Sequence, residues 1–157
     1  MQQRSVTHGT FVIERNYPAP IERVFAALSD PKKKRRWFAE SEGFELEEFE
    51  MDFKVGGKER TRFRVSNDGP VKGAVITNDT VYQDIVPDRR VVLAYTMILG
   101  DKPFSASLST FELLPGDKGT QLIFTEQAAF FEGSDGAQMR EQGWNQLLEA
   151  LGKESER

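Results

Sequence analysis

The sequence predicts an α+β fold in which a curved, antiparallel, seven-stranded sheet packs around one long C-terminal helix. The predicted elements run in the order strand, two short helices, six strands and one long helix, without the strand–helix alternation that builds parallel sheets. The apolar stripe of the last helix is too narrow for that helix to be stable alone. It therefore needs a large apolar surface, which the strands supply.

Length, charge and cysteine content limit the possible functions. A chain of 157 residues fits one domain, which we predict over residues 10–157, with a flexible N-terminal tail over 1–9. The formal net charge of −4 argues against non-specific nucleic-acid binding. The absence of cysteine excludes disulfides, thiolate catalysis and cysteine-based metal sites.

The sequence shows no targeting or membrane-spanning pattern. Residues 1–9 lack the apolar segment of a secretory signal, and no apolar run reaches the length of a membrane span. The lack of cysteine also suits a reducing compartment. We therefore expect a cytoplasmic protein.

The first quarter of the chain predicts one strand and two short helices. Residues 10–17 are β-rich and end at two prolines, the second of which suits the first turn of a helix. Apolar residues then repeat at helical spacing over 21–28. A second short helix is predicted over 30–38, because an Asp-Pro pair opens it.

The next two strands, over 44–53 and 58–65, predict a charged hairpin. Their apolar alternation slips by one residue, which predicts a β-bulge at Glu47-Glu48. Pairing the strands sets three acidic residues opposite three basic ones: Glu48, Glu50 and Asp52 opposite Arg62, Arg60 and Lys58. This basic stripe is thus better explained as a charge-paired outer face than as a nucleic-acid site.

Four further strands are predicted over 74–86, 90–99, 104–114 and 120–128, each bounded by proline- or glycine-containing turns. The last hairpin places three pairs on one face: Leu113 with Leu122, Phe111 with Phe124, and Ser109 with Glu126. The pattern leaves open which face Tyr95 occupies.

The C-terminal helix is predicted over 134–152. Its apolar stripe follows helical spacing and consists of Trp144, Leu147, Leu148 and Leu151, extended toward the N-terminus by Ala137 and Arg140. Ser134 or Asp135 can cap the first turn, and Gly152 fits a stop signal.

Three stretches together resemble one known superfamily. They are residues 11–38 (FVIERNYPAPIERVF and LSDPKKKRRWF), 81–92 (VYQDIVPDRRVV) and 119–131 (GTQLIFTEQAAFF), the last followed by Gly143-Trp144 and Leu147-Leu148. In this order they resemble the SRPBCC, or START-like, superfamily, in the branch of homologues of the activator of heat-shock-protein 90 ATPase. The resemblance implies a helix-grip fold with a cavity between sheet and C-terminal helix, used for apolar or amphipathic molecules.

Aromatic residues form the main candidate site. The chain has 12 Phe, 3 Tyr and 2 Trp, and ten of these rings could converge beneath the long helix: Trp37, Phe38, Phe63, Tyr82, Tyr95, Phe111, Phe124, Phe130, Phe131 and Trp144. The alternative is that the rings fill an ordinary core. Glu126 and Arg140 are predicted to point inward, as anchors for a ligand carboxylate or hydroxyl, as an acid–base pair, or as a structural ion pair. A further alternative has Arg140 reaching water along its apolar stem.

Other chemistry finds little support. The only histidine, His8, lies in the predicted tail, so no histidine triad or histidine-rich metal site is expected. No dinucleotide fingerprint is present, and we predict no cofactor, no metal and no catalytic residue. The basic run Lys32–Arg36 could contact an acidic partner, but a solvated helix face is the simpler interpretation.

Three functions follow as hypotheses. The first is cofactor-free binding of a small hydrophobic or aromatic molecule, by a monomer or homodimer. The second, implied by the resemblance, is contact with a chaperone. The third is an enzyme resembling polyketide cyclases, with Glu126, Arg140 and Tyr82 as candidate groups. Binding without turnover is the preferred hypothesis.

Overall fold

The fold was obtained as a computed structural model that describes residues 4–157. Its strands are β1 (Thr7–Tyr17), β2 (Phe44–Met51), β3 (Lys58–Val65), β4 (Val75–Val86), β5 (Arg90–Leu99), β6 (Lys102–Gly116) and β7 (Gly119–Phe130). Its helices are α1 (Ile21–Ser29), α2 (Pro31–Lys34), which continues into a π-helical turn (Arg35–Ala39), and α3 (Ala137–Ser155).

All strands belong to one antiparallel sheet in the order β1-β7-β6-β5-β4-β3-β2. The first and last strands of the chain are therefore neighbours, and the sheet is open, with β1 and β2 at its edges. The helix α3 lies over one face, which we call the inner face. The predicted fold class, including the two short helices between β1 and β2, is confirmed.

The predicted strand registers are confirmed in both hairpins. Across β6 and β7, Leu113 pairs with Leu122, Phe111 with Phe124, and Ser109 with Glu126. Across β2 and β3, Glu48 lies opposite Arg62 and Glu50 opposite Arg60, and the bulge falls between Leu46 and Glu48. The third predicted pair, Asp52 with Lys58, lies beyond the end of β2 at Met51. Arg62 and Arg60 make ion pairs with neighbouring acids on this face, so the stripe is charge-paired as predicted.

The strand β1 begins earlier than predicted. Its first residue is Thr7, and His8, which we expected in a flexible tail, pairs with Ala129 of β7. The predicted start at Thr10 is thus wrong by three residues, because the long β7 offers backbone partners as far as Phe130. Residues 1–3 of the predicted tail lie outside the described residues.

The ends of α3 also differ from the prediction. Gly136 occupies the N-cap position, and neither Ser134 nor Asp135 caps the helix with its side chain. Gly152 does not stop the helix, which runs on to Ser155. A Cβ atom on Gly152 would lie 2.6 Å from Cε1 of Tyr17, so this glycine is needed for close packing against that ring.

The basic run Lys32–Arg36 is not a uniformly solvated face. The side chain of Asp30 caps α2 by accepting from the Lys32 backbone N–H (2.9 Å), as predicted. Lys34 is nevertheless buried and forms an ion pair with Glu59 of β3 at 2.9 Å. Arg36 reaches Glu154 of α3 at 2.6 Å. The run therefore holds the α2 segment against the sheet and against α3.

No helix within residues 4–157 is both long enough and apolar enough to cross a membrane.

Candidate ligand-binding site

The inner face of the sheet is divided into a polar end and an apolar end. Side chains alternate along β6, so every second one points inward. Ser105, Ser107 and Ser109 come first and are buried, and Phe111 and Leu113 continue the same row. The strand β7 repeats the division, because Glu126 lies opposite Ser109 whereas Phe124 and Leu122 lie opposite Phe111 and Leu113.

Arg140 enters this polar end from the first turns of α3. Its side chain is only 7% exposed. The guanidinium donates two hydrogen bonds to Asp135, from Nε to Oδ2 (2.8 Å) and from Nη2 to Oδ1 (2.9 Å). Nη2 also donates to Ser105 Oγ (2.8 Å), while Nη1 donates to the Tyr95 hydroxyl (3.0 Å). The predicted inward direction is confirmed, and the alternative that Arg140 reaches water is wrong.

Tyr95 connects Arg140 with Glu126. It lies on the inner face opposite Ser107, which settles the orientation that the sequence left open. Its hydroxyl donates to Oε1 of Glu126 (2.7 Å), and the Ser109 hydroxyl donates to the same oxygen (2.8 Å). We call the connected set the Arg140 network: Arg140, Asp135, Tyr95, Glu126, Ser105, Ser107 and Ser109.

Burial controls the ionisation of the network. Burial raises the pKa of Glu126, and the hydrogen bonds from Tyr95 and Ser109 and the charge of Arg140 offset this only in part. Burial alone would also raise the pKa of Asp135, but the hydrogen bonds and charge of Arg140 lower it below its ordinary value. Burial likewise raises the pKa of Tyr95, which stays a neutral hydroxyl. The pKa values of the two carboxyl groups, Glu126 and Asp135, are thus shifted in opposite directions.

The apolar end is filled by packed rings around Trp144. Its ring centroid lies 4.4 Å from that of Phe124, 5.9 Å from Phe111 and 6.5 Å from Tyr95. Its indole N–H donates to the Tyr95 hydroxyl (3.2 Å), which joins the ring cluster to the Arg140 network. For these four aromatic residues the structure supports the core-filling alternative.

The remaining predicted aromatics divide into neighbours of this region and outliers. Phe130 is buried beneath Arg140, whose guanidinium carbon lies 5.3 Å from the ring centroid. Trp37 is buried, and half-buried Phe38 lies 6.3 Å from Trp144. Phe63 instead pairs with Phe44 of β2 near the sheet edge (4.8 Å). Half-buried Phe131 follows β7 and has no ring partner within residues 4–157.

Tyr82 belongs to a second buried group, which we call the Lys34 cluster: Lys34, Glu59 and Tyr82. The Tyr82 hydroxyl donates to Glu59 Oε1, which also accepts from Lys34 Nζ (2.9 Å). Burial, followed by the neighbouring charge of Glu59, raises the pKa of Tyr82. The Lys34 ammonium lies over the Phe38 ring, 4.8 Å from its centroid. Tyr82 therefore lies apart from Glu126 and Arg140, with which the cyclase hypothesis had grouped it.

Sequence reasoning missed Lys34, Glu59, Asp135, Ser105 and Ser107 as parts of buried networks, although it placed Ser109 opposite Glu126. A signal existed for Glu59, because the inward row of β3 that contains Thr61 and Val65 reaches Glu59 if it is extended by one step. The sequence carried no comparable signal for Lys34, since one buried lysine in a run of five cations looks like its neighbours.

Two depressions are found on the outside of the molecule. One, of about 640 Å³, is lined mainly by outward-facing residues of β3 to β6, such as Arg60 and Asp79, and in part by Glu59, Tyr95 and Ser107 of the two buried groups. The other, of about 490 Å³, lies around the β2–β3 turn. Neither lies between the sheet and α3, so the predicted interior cavity stays a prediction.

An open antiparallel sheet around a C-terminal helix, with a few charged groups enclosed beside an apolar core, defines a helix-grip domain. A protein-family comparison makes this assignment specific. The model described as "Activator of Hsp90 ATPase homolog 1-like protein" matches residues 18–156, so the chain belongs to this family. The resemblance seen in the sequence is thereby confirmed.

Solved bacterial structures resemble the chain over almost its whole length. A putative uncharacterized protein from Rhizobium leguminosarum is 40% identical, with a TM-score of 0.88 and 99% of each chain covered. A protein from Rhizobium loti is 48% identical, with a TM-score of 0.84, covering 96% of this chain and 99% of that one. An AHSA1-like protein from Aeromonas hydrophila, 18% identical with a TM-score of 0.65 over 94% and 92% of the chains, shares the fold alone. No curated protein matches the sequence.

Proposed function

We propose that this protein binds a small amphipathic molecule inside the domain, at the polar end of the inner face. The polar group of the molecule would contact the Arg140 network. Its apolar part would contact the rings that border the network, namely Phe130, Tyr95 and Trp144. This narrows the predicted hydrophobic or aromatic ligand to an amphipathic one, because buried polar and apolar side chains meet at this place.

The observation that supports this proposal is the state of Glu126. Its side chain is completely buried, yet its Oε2 atom has no hydrogen-bond donor within residues 4–157. A buried acceptor without a donor costs about 1–3 kcal/mol or more for a charged group. Such groups are rare in proteins, and a ligand, a reaction or a bound water is the usual explanation. The polar group of a bound molecule would supply the donor that Oε2 lacks.

The two tryptophans provide an internal test of ligand binding. The Trp144 indole N–H contacts the network, whereas the Trp37 indole N–H donates to the backbone carbonyl of Ala27 (2.7 Å), outside it. In a nitrogen-15-labelled protein titrated with naphthylmethanol, we expect the Trp144 signal to shift in a saturable manner. The Trp37 signal should shift far less. If neither signal moves with naphthylmethanol, its methyl ether or naphthoate, the proposal is wrong.

Contact with a chaperone is a second candidate function, favoured by the family match alone, since the family is named after an activator of the Hsp90 ATPase. The test is the ATPase rate of a purified Hsp90-type chaperone from the same cell, with and without this protein. A rate that rises with added protein supports the candidate. An unchanged rate at a large excess of protein rejects it.

A further inference from the structure

Every N–H group of Arg140 already has a partner. A guanidinium has five N–H donors and no acceptor. Nε and one Nη2 donor are bound to Asp135, and the second Nη2 donor is bound to Ser105. The two Nη1 donors face Tyr95 (3.0 Å) and Ser107 (3.4 Å). Arg140 therefore has no free donor to offer a ligand.

The Tyr95 hydroxyl is also fully engaged. A phenol offers one donor and accepts through two lone pairs. Tyr95 donates its proton to Glu126 and accepts from Arg140 and from the indole N–H of Trp144. A ligand would have to break one of these bonds in order to bind the hydroxyl.

Glu126 is the member of the network with a free position. Its Oε1 accepts from both Tyr95 and Ser109, which leaves Oε2 without a donor among the described residues. The closest cationic atom, Arg140 Nη1, lies 3.6 Å from Oε2, too far for a hydrogen bond. What the network lacks is therefore a hydrogen-bond donor that points at Oε2.

We infer that the site selects apolar molecules that carry a hydroxyl group and discriminates against carboxylates. This inference rests on the proposed function and specifies its ligand class. A hydroxyl satisfies Oε2 with one hydrogen bond. A carboxylate would bring a second negative charge to Glu126 and would find every N–H group of Arg140 occupied. The sequence left both a carboxylate and a hydroxyl possible as the ligand group, and the hydrogen bonds of Arg140 favour the hydroxyl.

The same geometry predicts how to reverse the selectivity. In Glu126→Gln, the amide oxygen should occupy the Oε1 position, because Tyr95 and Ser109 both donate there. The amide NH₂ group then occupies the Oε2 position and turns the open acceptor into a donor. The variant should therefore prefer ligands that accept a hydrogen bond. Glu112→Gln makes the same chemical change on the exposed outer face of β6 and serves as the matched control.

The experiment compares naphthylmethanol, its methyl ether and naphthoate at pH 8, with the Trp144 indole signal as the readout. For the wild-type protein and for Glu112→Gln we expect the alcohol to bind about tenfold or more tightly than the ether, since only the alcohol can donate a hydrogen bond to Oε2. Naphthoate should bind most weakly. In Glu126→Gln the ether and naphthoate should gain affinity relative to the alcohol.

Two results would overturn the inference, and they can be distinguished. If no probe shifts the Trp144 signal, the proposed function fails and the inference fails with it. If the probes bind but the wild-type protein prefers naphthoate or treats alcohol and ether alike, the ligand class is wrong while the site stands. That result would mean that Oε2 carries a proton. The wild-type comparison decides the question even if Glu126→Gln does not fold.

Discussion

The Lys34 cluster and the Arg140 network both bury a cation beside a glutamate, but they satisfy the glutamate differently. Glu59 receives the Lys34 ammonium and the Tyr82 hydroxyl directly. Glu126 accepts hydrogen bonds from two hydroxyl groups, whereas Arg140 forms its ion-paired hydrogen bonds with Asp135. Glu59 is thus paired directly with a cation. Glu126 lies near Arg140, but the closest ion pair of Arg140 is with Asp135.

This difference separates a structural contact from a candidate site. The Lys34–Glu59 pair joins α2 to β3, and together with Arg36–Glu154 it holds the segment between β1 and β2 in place. Neither Lys34 nor Glu59 has an unsatisfied buried polar atom among the described residues, so the pair needs no ligand to complete it. The Arg140 network holds α3 against β5 and β6 while leaving one acceptor open on β7. The following predictions test whether the two groups really differ in this way.

Replacing Arg140 should have the largest effect on stability. Arg140→Met removes donors from Asp135, Tyr95 and Ser105 and leaves buried negative charge uncompensated. We expect a loss of about 3–5 kcal/mol in the free energy of unfolding, measured by urea denaturation. Arg35→Met, at an exposed ion pair with Glu40, should cost less than about 0.5 kcal/mol. Equal effects of the two substitutions would contradict the buried network.

Replacing Lys34 should be nearly as costly, but for stability only. Lys34→Met leaves Glu59 buried without its cation, so we expect a loss of about 3 kcal/mol, with the exposed Lys32→Met as the control. Adding Glu59→Met should recover much of the loss, because a buried pair can be replaced by apolar residues. The response of the Trp144 signal to naphthylmethanol should survive in the folded double variant. A double variant with altered ligand selectivity would show that the Lys34 cluster belongs to the site.

Asp135→Asn should destabilise the protein moderately and in a pH-dependent manner. The pKa of Asp135 is lowered in the fold, so its stabilising contribution is present above the unfolded value of about 3.9 and is lost as the pH falls through the folded value. We expect a loss of about 1.5 kcal/mol at neutral pH. Variant and wild type should converge in acid. A difference that persists unchanged at low pH would show that the Arg140–Asp135 pair is not the cause.

Glu126→Gln should have the smallest effect on stability, and the opposite pH dependence. The fold raises the pKa of Glu126, so the wild-type protein is favoured below the unfolded value of about 4.3 and loses this advantage as the pH rises through the folded value. The variant should therefore gain stability relative to wild type between acid and neutral pH, as followed by thermal unfolding. A relative loss with rising pH would mean that Glu126 is stabilised in its ionised form.

The alternation of side chains along the strands was enough to predict much of the fold and part of the candidate site. The pairing of Ser109 with Glu126 and of Phe111 with Phe124 could be predicted, because a period of two and a short turn determine register. The helical period likewise placed Arg140 beside Trp144 on the inward stripe of α3. Both features follow from local sequence periodicity, which predicts the direction of a side chain wherever the strand or helix is regular.

The unpredicted features depend on contacts between distant segments. The orientation of Lys34 could not be predicted, because α2 has only four residues and passes into a π-helical turn, which breaks the helical period. Gly152 looked like a stop signal, but its role is set by the Tyr17 ring, 135 positions earlier in the chain. The open position on Glu126 emerges only when all donors are assigned.

The titration of the Glu126 carboxyl group tests the central claim most directly. Its pKa can be followed by carbon-13 NMR of selectively labelled protein, without ligand and with saturating naphthylmethanol. Because a hydrogen bond donated to the ionised carboxylate favours that form, the alcohol should lower the pKa of Glu126 while the methyl ether does not. An unchanged or raised pKa with bound alcohol would contradict the claim that Oε2 is the acceptor for the ligand.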